Sequence, residues 1–397
     1  MLCRQTIGVD GVALPGGGRL PMTDGSPGGE RIVVAMSGGV DSSVAAALLC
    51  DQGYEVVGAT LRLVSCRDGR ESRSCCGIDG ITRARAIADQ LGIPHHVVDC
   101  ADEFEQLVLR PVWDDYACGR TPNPCLLCNE RIKFGRLLSW AKELGASWLA
   151  TGHYARLQTG PEGEPLLLRG LDPAKDQSYF LAGLGMAQLR SLLFPVGQLD
   201  KQTVRRLAQE RNLSTAQAQE SQDACLVGPG QLLAELLRER FGGQSRPGPI
   251  VDESGRVLGR HRGIHRFTVG QRRGLSLPSA GRCWVKEVRA ADAAIVVTGD
   301  EGSLHGDRLV AAVTSWLGPG PGEHGRDCEV QVRYRHAAEA AHVEACGPGT
   351  VSVVFRRPVR AIAPGQAAVF FDGARVLGRG WISNGGLFAA VEGKARP

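Results

Sequence analysis

The apolar positions of this chain change period along its length, and each change marks an element. Ile32 to Ala35 is a short continuous apolar run that reads as a strand, and Val44 to Cys50 is a helix-like run behind it. Glu55 to Leu61 reads as a second strand. Ile81, Ala84, Ile87, Ala88 and Leu91 recur at helical spacing, with Gly92 placed to end that helix. His96-Val97-Val98 reads as a third strand, Ile132 to Leu144 as a helix stopped by Gly145, and Ser147 to Ala150 as a buried strand ending in Thr151-Gly152-His153. Strands alternating with helices from Arg31 to about Leu157 predict an α/β domain on a parallel sheet covered on both faces. Asp200 is placed to cap a helix running to about Arg211. From roughly Leu237 the pattern becomes short segments broken by Gly and Pro, with Val, Ile and Phe in alternation, which predicts a small central domain and then a β-barrel-like domain. The divisions expected are residues 1–30 as a disordered extension, 31–236 as the α/β domain, 237–303 as the central domain and 304–397 as the barrel.

Composition narrows the class without naming a chemistry. At 397 residues the chain is too long for one ordinary core, and 43% hydrophobic with 22% charged residues is the balance of a globular protein. No uninterrupted apolar run is long enough to span a bilayer. The first thirty residues are rich in Gly and Pro and lack the apolar core of a signal peptide, so a cytoplasmic protein with no membrane partner is expected. A net charge of +4 permits an RNA partner without demonstrating one, which shifts the question to local clusters. Thirteen cysteines, an odd number, argue for reduced thiols, some of them chemical or metal-binding, over a disulfide framework.

The chemistry concentrates first in Ser37-Gly38-Gly39-Val40-Asp41-Ser42-Ser43, between the first strand and the first helix. Two glycines let the backbone approach a ligand, the hydroxyls donate, and the helix directs unsatisfied N–H groups and its positive dipole end at the same place, so an anion belongs there. The stretch lacks the lysine of a G-x-x-x-x-G-K loop and is not G-x-G-x-x-G. In an open parallel sheet ligands gather at the carboxyl ends of strands, which puts this loop, Leu61 and Gly152-His153 around one crevice. The polar, Arg-rich loop from Arg62 to Ile78 carries Cys66, Cys75 and Cys76, read as thiols on a mobile loop. Gly119-Arg120-Thr121-Pro122-Asn123-Pro124-Cys125-Leu126-Leu127-Cys128-Asn129 then sets a C-x-x-C turn behind two stiffening prolines. Thiols so spaced can share a metal, form a redox pair or act as nucleophiles. Leu166 to Arg190 holds Lys175-Asp176-Gln177-Ser178-Tyr179-Phe180, a polar cluster compatible with a solvated loop, and Cys225 stands alone among acidic and amide groups. Basic residues gather with aromatics at Arg256, Arg260, Arg262, Arg266, Phe267, Arg272 and Arg273, at Arg333, Tyr334 and Arg335, and at Arg356 and Arg357.

SGGVDSS resembles the PP-loop of ATP pyrophosphatases, which cleave ATP to AMP and pyrophosphate. With GRTPNP-x-x-x-CN, ATGHY, LLRG-x-D-x-x-KDQSYFL, the later lone cysteine, and the C-terminal FTVGQRRGL, VRYR and PGQAAVFFDG, the chain from Arg31 onward resembles the tRNA-specific 2-thiouridylases. These enzymes place sulfur on C2 of the wobble uridine of certain tRNAs. The resemblance implies ATP binding by Ala35, Met36, Ser37, Gly38, Gly39, Val40, Asp41, Ser42, Leu61 and Gly152, with Mg2+ as the nucleotide's metal. It implies contact with the target base by Asn123, Pro124 and Cys125, and with tRNA by His153, Lys175, Asp176, Gln177, Arg333, Tyr334 and Gln366. Cys128 falls at the nucleophile position and Cys225 at the cysteine that carries sulfur as a persulfide, so a Cys128–Cys225 disulfide is implied as an alternate state. A sulfur-donor protein, such as a cysteine desulfurase or a relay protein, is implied as a partner.

One position departs from that pattern: many family members have Asp where this chain has Cys125. Cys125, Cys128 and Cys225 together resemble the thiolases that hold a 4Fe–4S cluster on three thiolates with one open iron, and thiolates suit such a cluster. A persulfide pair with Cys125 as a passive neighbour is the competing expectation. Two rivals to the whole reading are a cytidine-type PP-loop thiolase and a non-catalytic, zinc-stabilised RNA-binding protein.

Overall fold

The computed structural model describes residues 29–64, 78–217, 231–242, 246–277 and 281–383. Its first unit is a five-stranded, all-parallel sheet, as the alternating pattern predicts. In chain order the strands are β1 (Arg31–Ala35), β2 (Glu55–Arg62), β3 (His95–Asp99) and β4 (Trp148–Thr151). A hairpin of β5 (Ala155–Thr159) and β6 (Pro165–Arg169) then leaves the sheet before the chain returns as β7 (Leu192–Leu193). The spatial order β3-β2-β1-β4-β7 reverses direction at β1, and the reversal opens a crevice above the carboxyl ends of β1 and β4.

Side chains alternate across β1. Ile32 and Val34 pack on one face against α1 (Val40–Asp51) and α2 (Ile78–Leu91), while Val33 joins the core of the other face. Helix α1 is covered almost all round, and its run of Ala45, Ala46 and Ala47 lets it sit close to the sheet. The opposite face is covered by a helix over 101–117, which the periodicity did not reveal, and by a second over 124–143. Each carries a π-helical stretch, Glu105–Leu109 in the first and Cys128–Arg136 in the second. A π-helical insertion re-aims the following residues without breaking the helix.

The middle unit is a small sheet in the order β10-β11-β8-β9, made of β8 (Gly248–Val251), β9 (Val257–His261), β10 (Trp284–Arg289) and β11 (Ala294–Thr298). The last comprises β12 (His305–Trp316), β13 (Arg326–Gln331), β14 (Glu339–Gly347), β15 (Thr350–Arg360), β16 (Ala367–Asp372) and β17 (Arg375–Ile382). These antiparallel strands close into a barrel through the β12–β17 pairing.

The first and last units share one core. Leu317, Ala367, Val369, Phe371 and Val376 of the barrel belong to the same cluster as Leu126, Ile132, Leu149 and Tyr179. The β5–β6 hairpin is hydrogen-bonded onto β17, so it extends the barrel's sheet. Arg379 of β17 is 1% exposed and reaches across to ion-pair with Glu130. Its guanidinium lies 4.4 Å from the Trp381 ring centroid, and its Nε and Nη1 have no hydrogen-bond partner. A buried guanidinium with one carboxylate to answer it depends on that carboxylate. Glu130→Gln should therefore lower stability by about 3 kcal/mol, the low end for a broken buried pair because Glu130 is 30% exposed. Chemical denaturation that finds the variant within experimental error of wild type would mean that the guanidinium is satisfied some other way.

Candidate functional site

The crevice is lined first by the turn from β1 into α1. The main chain of Met36 is fixed by its N–H to Ala59 at 2.8 Å and by the Thr60 hydroxyl on its carbonyl at 2.7 Å. Gly38 then turns at φ +73°, where a side chain is strained, and a Cβ there would lie 2.5 Å from the Gly80 carbonyl oxygen. Gly39 is the helix N-cap and supplies no side-chain cap, so the first N–H groups of α1 are left for a ligand. Ser42 ties the loop together: its Oγ accepts from the Ser37 N–H at 3.3 Å and donates to the Gly39 carbonyl at 3.0 Å. Helix α1 begins at Val40, four residues before its apolar run, so the motif forms the first turn itself.

Gly152, just past β4, lies against that turn. A Cβ on it would sit 2.6 Å from the Ser42 nitrogen and 2.7 Å from the Asp41 carbonyl carbon, so only glycine fits. Leu61 is buried at the end of β2. Asp41 is bracketed by two partners absent from the sequence reading. Lys201 Nζ lies 2.6 and 2.8 Å from its two oxygens, and the Tyr154 hydroxyl donates to Oδ1 at 2.7 Å. Lys201 opens the helix Lys201–Glu210, where Asp200 caps as expected by accepting from the Thr203 N–H. A cation at the positive end of a helix is unfavourable, and that anomaly is the one signal in the sequence that marks Lys201.

The segment 119–129 is helical over the two cysteines, where a turn was expected. Asn123 is the N-cap, its Oδ1 accepting from the Leu126 N–H, and Pro124 takes the first helical position, where its missing N–H costs nothing. Cys125 is half-buried and Cys128 is buried at the start of the π-helical stretch. The residues ahead of them are held from elsewhere. The Thr121 N–H donates to the Pro364 carbonyl at 2.7 Å, and the Gln366 amide donates to the carbonyls of Thr121 at 3.0 Å and Pro122 at 3.3 Å. Arg120 pairs with buried Asp115, and the Thr121 hydroxyl donates to that of Thr268 in the middle unit. All three units therefore meet at Thr121.

Lys175-Asp176-Gln177 form a loop with much of its polarity turned inward, and the turn after it, with Tyr179 and Leu181 buried, is no solvated segment. Asp176 accepts from the N–H groups of Gly170 and Ser178, from Arg169 and from the Ser178 hydroxyl. Gln177 is bonded to both main-chain groups of Tyr154. Lys175 is half-buried. Asn129 donates to the Phe180 carbonyl at 3.1 Å, which joins the thiol helix to this loop. Tyr334 packs on Phe180 with ring centroids 4.3 Å apart, and Arg333 donates to the carbonyls of Arg360 and Ala361. His153 lies between Phe134 and Phe194, with its Nδ1 2.7 Å from the Thr151 hydroxyl. Burial, reinforced by Lys133, holds its imidazole well below the usual histidine range, so it is neutral. Cys225, like Cys66, Cys75 and Cys76, lies outside the described residues. Among the described residues no three His, Cys, Asp or Glu side chains form a metal-binding group.

Three family models match the chain in sequence: the tRNA methyl transferase HUP domain over residues 30–229, the tRNA methyl transferase PRC-barrel domain over 235–299 and the aminomethyltransferase beta-barrel domain over 306–382. Similar proteins include the tRNA-specific 2-thiouridylase MnmA of Geotalea uraniireducens, 43% identical over 360 residues, covering 89% of this chain and 95% of that one. The protein of the same name from Rhodospirillum centenum is 46% identical over 373 residues, covering 90% and 93%. That from Acidothermus cellulolyticus is 48% identical over 360 residues, covering 89% and 97%.

Gly152→Ala should weaken pyrophosphate binding by about tenfold or more and cost about 1–3 kcal/mol of stability, because its Cβ meets backbone that cannot yield. Isothermal titration with pyrophosphate checks the first part; unchanged affinity would separate Gly152 from the loop. His153 gives a pH dependence. The unfolded chain takes up a proton at about 6.5 and the folded protein resists, so stability falls as the pH drops from about 7 to about 5.5. In His153→Gln that fall in melting temperature should be smaller though not absent, since burial also lowers His95 and His261. An identical slope would place His153 in water.

Proposed function

The chain belongs to the family of tRNA-specific 2-thiouridylases, and on that premise we propose that it is an ATP-dependent tRNA-uridine 2-sulfurtransferase acting on the wobble position. The observation that carries this reading is the pairing of an anion-binding loop with a two-cysteine helix in one interlocked fold, in a chain 43–48% identical to such enzymes over about nine-tenths of its length. No helix among the described residues is long and apolar enough to cross a membrane.

The chemistry requires both parts. The C2 carbonyl of uracil is a poor electrophile and its oxygen a poor leaving group. Attack of that oxygen on the α-phosphorus of ATP expels pyrophosphate and leaves a C2–O–AMP bond that breaks readily. The loop from Ala35 to Ser42, with Leu61 and Gly152 closing the crevice, fits a polyphosphate through its uncapped N–H groups and its glycines. Asp41 is the carboxylate there that would hold Mg2+, which when bound supplies charge neutralisation to the leaving pyrophosphate. Asn123, Pro124 and Cys125 present the base to the thiols, and Lys175, Asp176, Gln177, His153, Arg333, Tyr334 and Gln366 form the proposed tRNA face. Gln366, which braces Thr121 and Pro122, and Arg333, which donates to the carbonyls of Arg360 and Ala361, would act on RNA mainly through the loops they hold.

Sulfur arrives from a donor protein as a Cys225 persulfide. Its terminal sulfur adds to C2 as AMP departs; Cys128 thiolate then attacks the Cys225 sulfur, frees the thiocarbonyl and leaves a Cys128–Cys225 disulfide that an external thiol must reduce. Cys125 supports a different use of the same residues. Cys125, Cys128 and Cys225 would hold a 4Fe–4S cluster, two of these thiols lying within one helix; such a cluster, when bound, offers an iron for sulfide.

Purified protein with tRNA, ATP and a sulfur donor, kept anaerobic and reducing, should form 2-thiouridine, and Asp41→Ala should abolish it. Nucleoside mass analysis that never finds 2-thiouridine overturns the function. Iron and sulfide analysis after anaerobic reconstitution separates the two sulfur routes: normal turnover of Cys125→Asp without iron removes the cluster, and thiolation confined to the iron-bearing three-cysteine protein removes the persulfide pair.

A further inference from the structure

We propose that Lys201 is a phosphate-binding residue of the nucleotide site, held in reserve by Asp41 until a metal-bearing nucleotide takes that carboxylate. The proposal rests on the ATP reading above and adds a residue to it.

Two helices lie side by side and parallel here, Asp41 facing Lys201 at their first turns and Asp51 pairing with Arg211 at their far ends. Asp41 is in the first turn of α1, and Lys201 is the first residue of Lys201–Glu210, so the positive ends of both helix dipoles converge where one carboxylate and one ammonium lie in contact. Asp41 suits its helix end. Lys201 does not suit its own, and its side chain is only 11% exposed, so a neighbouring anion must offset the mismatch. Asp41 does so now, through contacts to both oxygens. The Lys201 main chain is fixed separately, its N–H donating to Asp172 at 3.1 Å, so the start of the helix does not depend on which anion the ammonium meets.

The same geometry poses a problem for an incoming polyphosphate. The uncapped N–H groups of α1 invite it, whereas a bare Asp41 carboxylate beside them would repel it. Lys201 offsets that repulsion through its contacts to both Asp41 oxygens. When the polyphosphate brings a divalent cation, the cation satisfies Asp41 and the ammonium is released within a side-chain length of the phosphates. Lysine is suited to that exchange, as a compact charge on a flexible four-carbon stem. Tyr154, donating to Asp41 Oδ1, keeps the carboxylate oriented while its ionic partner changes.

A structural strut between two helices and a charge exchange make opposite predictions, and titration of the full chain with α,β-methylene-ATP, with and without Mg2+, separates them. Lys201→Met should weaken metal-free binding by about tenfold or more, because the Asp41 carboxylate then faces the phosphates without its counter-charge, and Mg2+-dependent binding by a smaller factor, through the lost ammonium–phosphate contact. Lys201→Arg should keep most of the metal-free affinity. Asp41→Asn should bind the metal-free analogue more tightly than wild type, since it frees Lys201 and removes the repulsion, and should gain nothing from added Mg2+. Weaker binding by both Lys201→Met and Asp41→Asn, equal with and without metal and matched by lower melting temperatures, overturns the proposal in favour of a strut. Wild type that binds pyrophosphate but no nucleotide overturns the ATP reading and this proposal together; nucleotide binding in which Lys201→Met loses the same factor with and without Mg2+ and Asp41→Asn gains no metal-free affinity overturns this proposal alone.

Discussion

The hydrogen bonds between Thr121-Pro122 and the Pro364-Gly365-Gln366 turn are the constraint on which the thiol site depends. Two prolines deprive the segment before Cys125 of amide donors, so it cannot build a ladder of its own. Its carbonyls are answered by a glutamine 245 positions away, and Gly365 at φ +89° leaves no room for a side chain against Thr121. The barrel is thus part of the wall that positions the cysteines. Arg379 repeats the arrangement one turn along the helix, where a strand of the barrel supplies the counter-charge of Glu130. A shared hydrophobic core behind both contacts makes independent motion of the two units costly.

How far the sequence was legible follows from how local each feature is. The strand, glycine turn and helix around Gly38 are specified within twenty residues, and they stand in the structure as read. The C-x-x-C segment was misread as a turn because prolines signal turns, although a proline at the first helical position signals a helix start. The helix over 101–117 was missed since its π-helical stretch shifts the apolar period midway. No local pattern says that β5 and β6 will join the barrel, for their partner strand is two hundred residues further on. Tyr154 leaves no local signal for the same reason, and Lys201 leaves only that of a cation at a helix start: contacts with Asp41 across 113 and 160 positions are properties of the fold.

Charge was the feature most easily over-read. The arginines that cluster in the sequence are largely engaged in the structure: Arg266 with Glu235, Arg256 with Asp252, Arg356 with Asp327 and Arg357 with Glu339. These engagements differ in strength. The Arg356–Asp327 pair is exposed on both sides, 67% and 63%, and a surface ion pair contributes only about 0–1 kcal/mol, so a phosphate could replace that carboxylate at little cost, whereas Arg357 grips a Glu339 only 15% exposed through two hydrogen bonds. Arg333 is fixed by two carbonyls and its charge is disfavoured by burial, which suits it to shaping the turn beneath Tyr334 more than to meeting a mobile phosphate. Arg260, Arg262, Arg266 and Arg273 line a cavity of about 780 Å³ beside the helix Leu233–Phe241, where the middle unit meets the first. A linear count of arginines weights these groups alike. Burial and pairing do not, and they assign the exchangeable charge to the outer face of the barrel and to this cavity, leaving Arg333 to hold the scaffold between them.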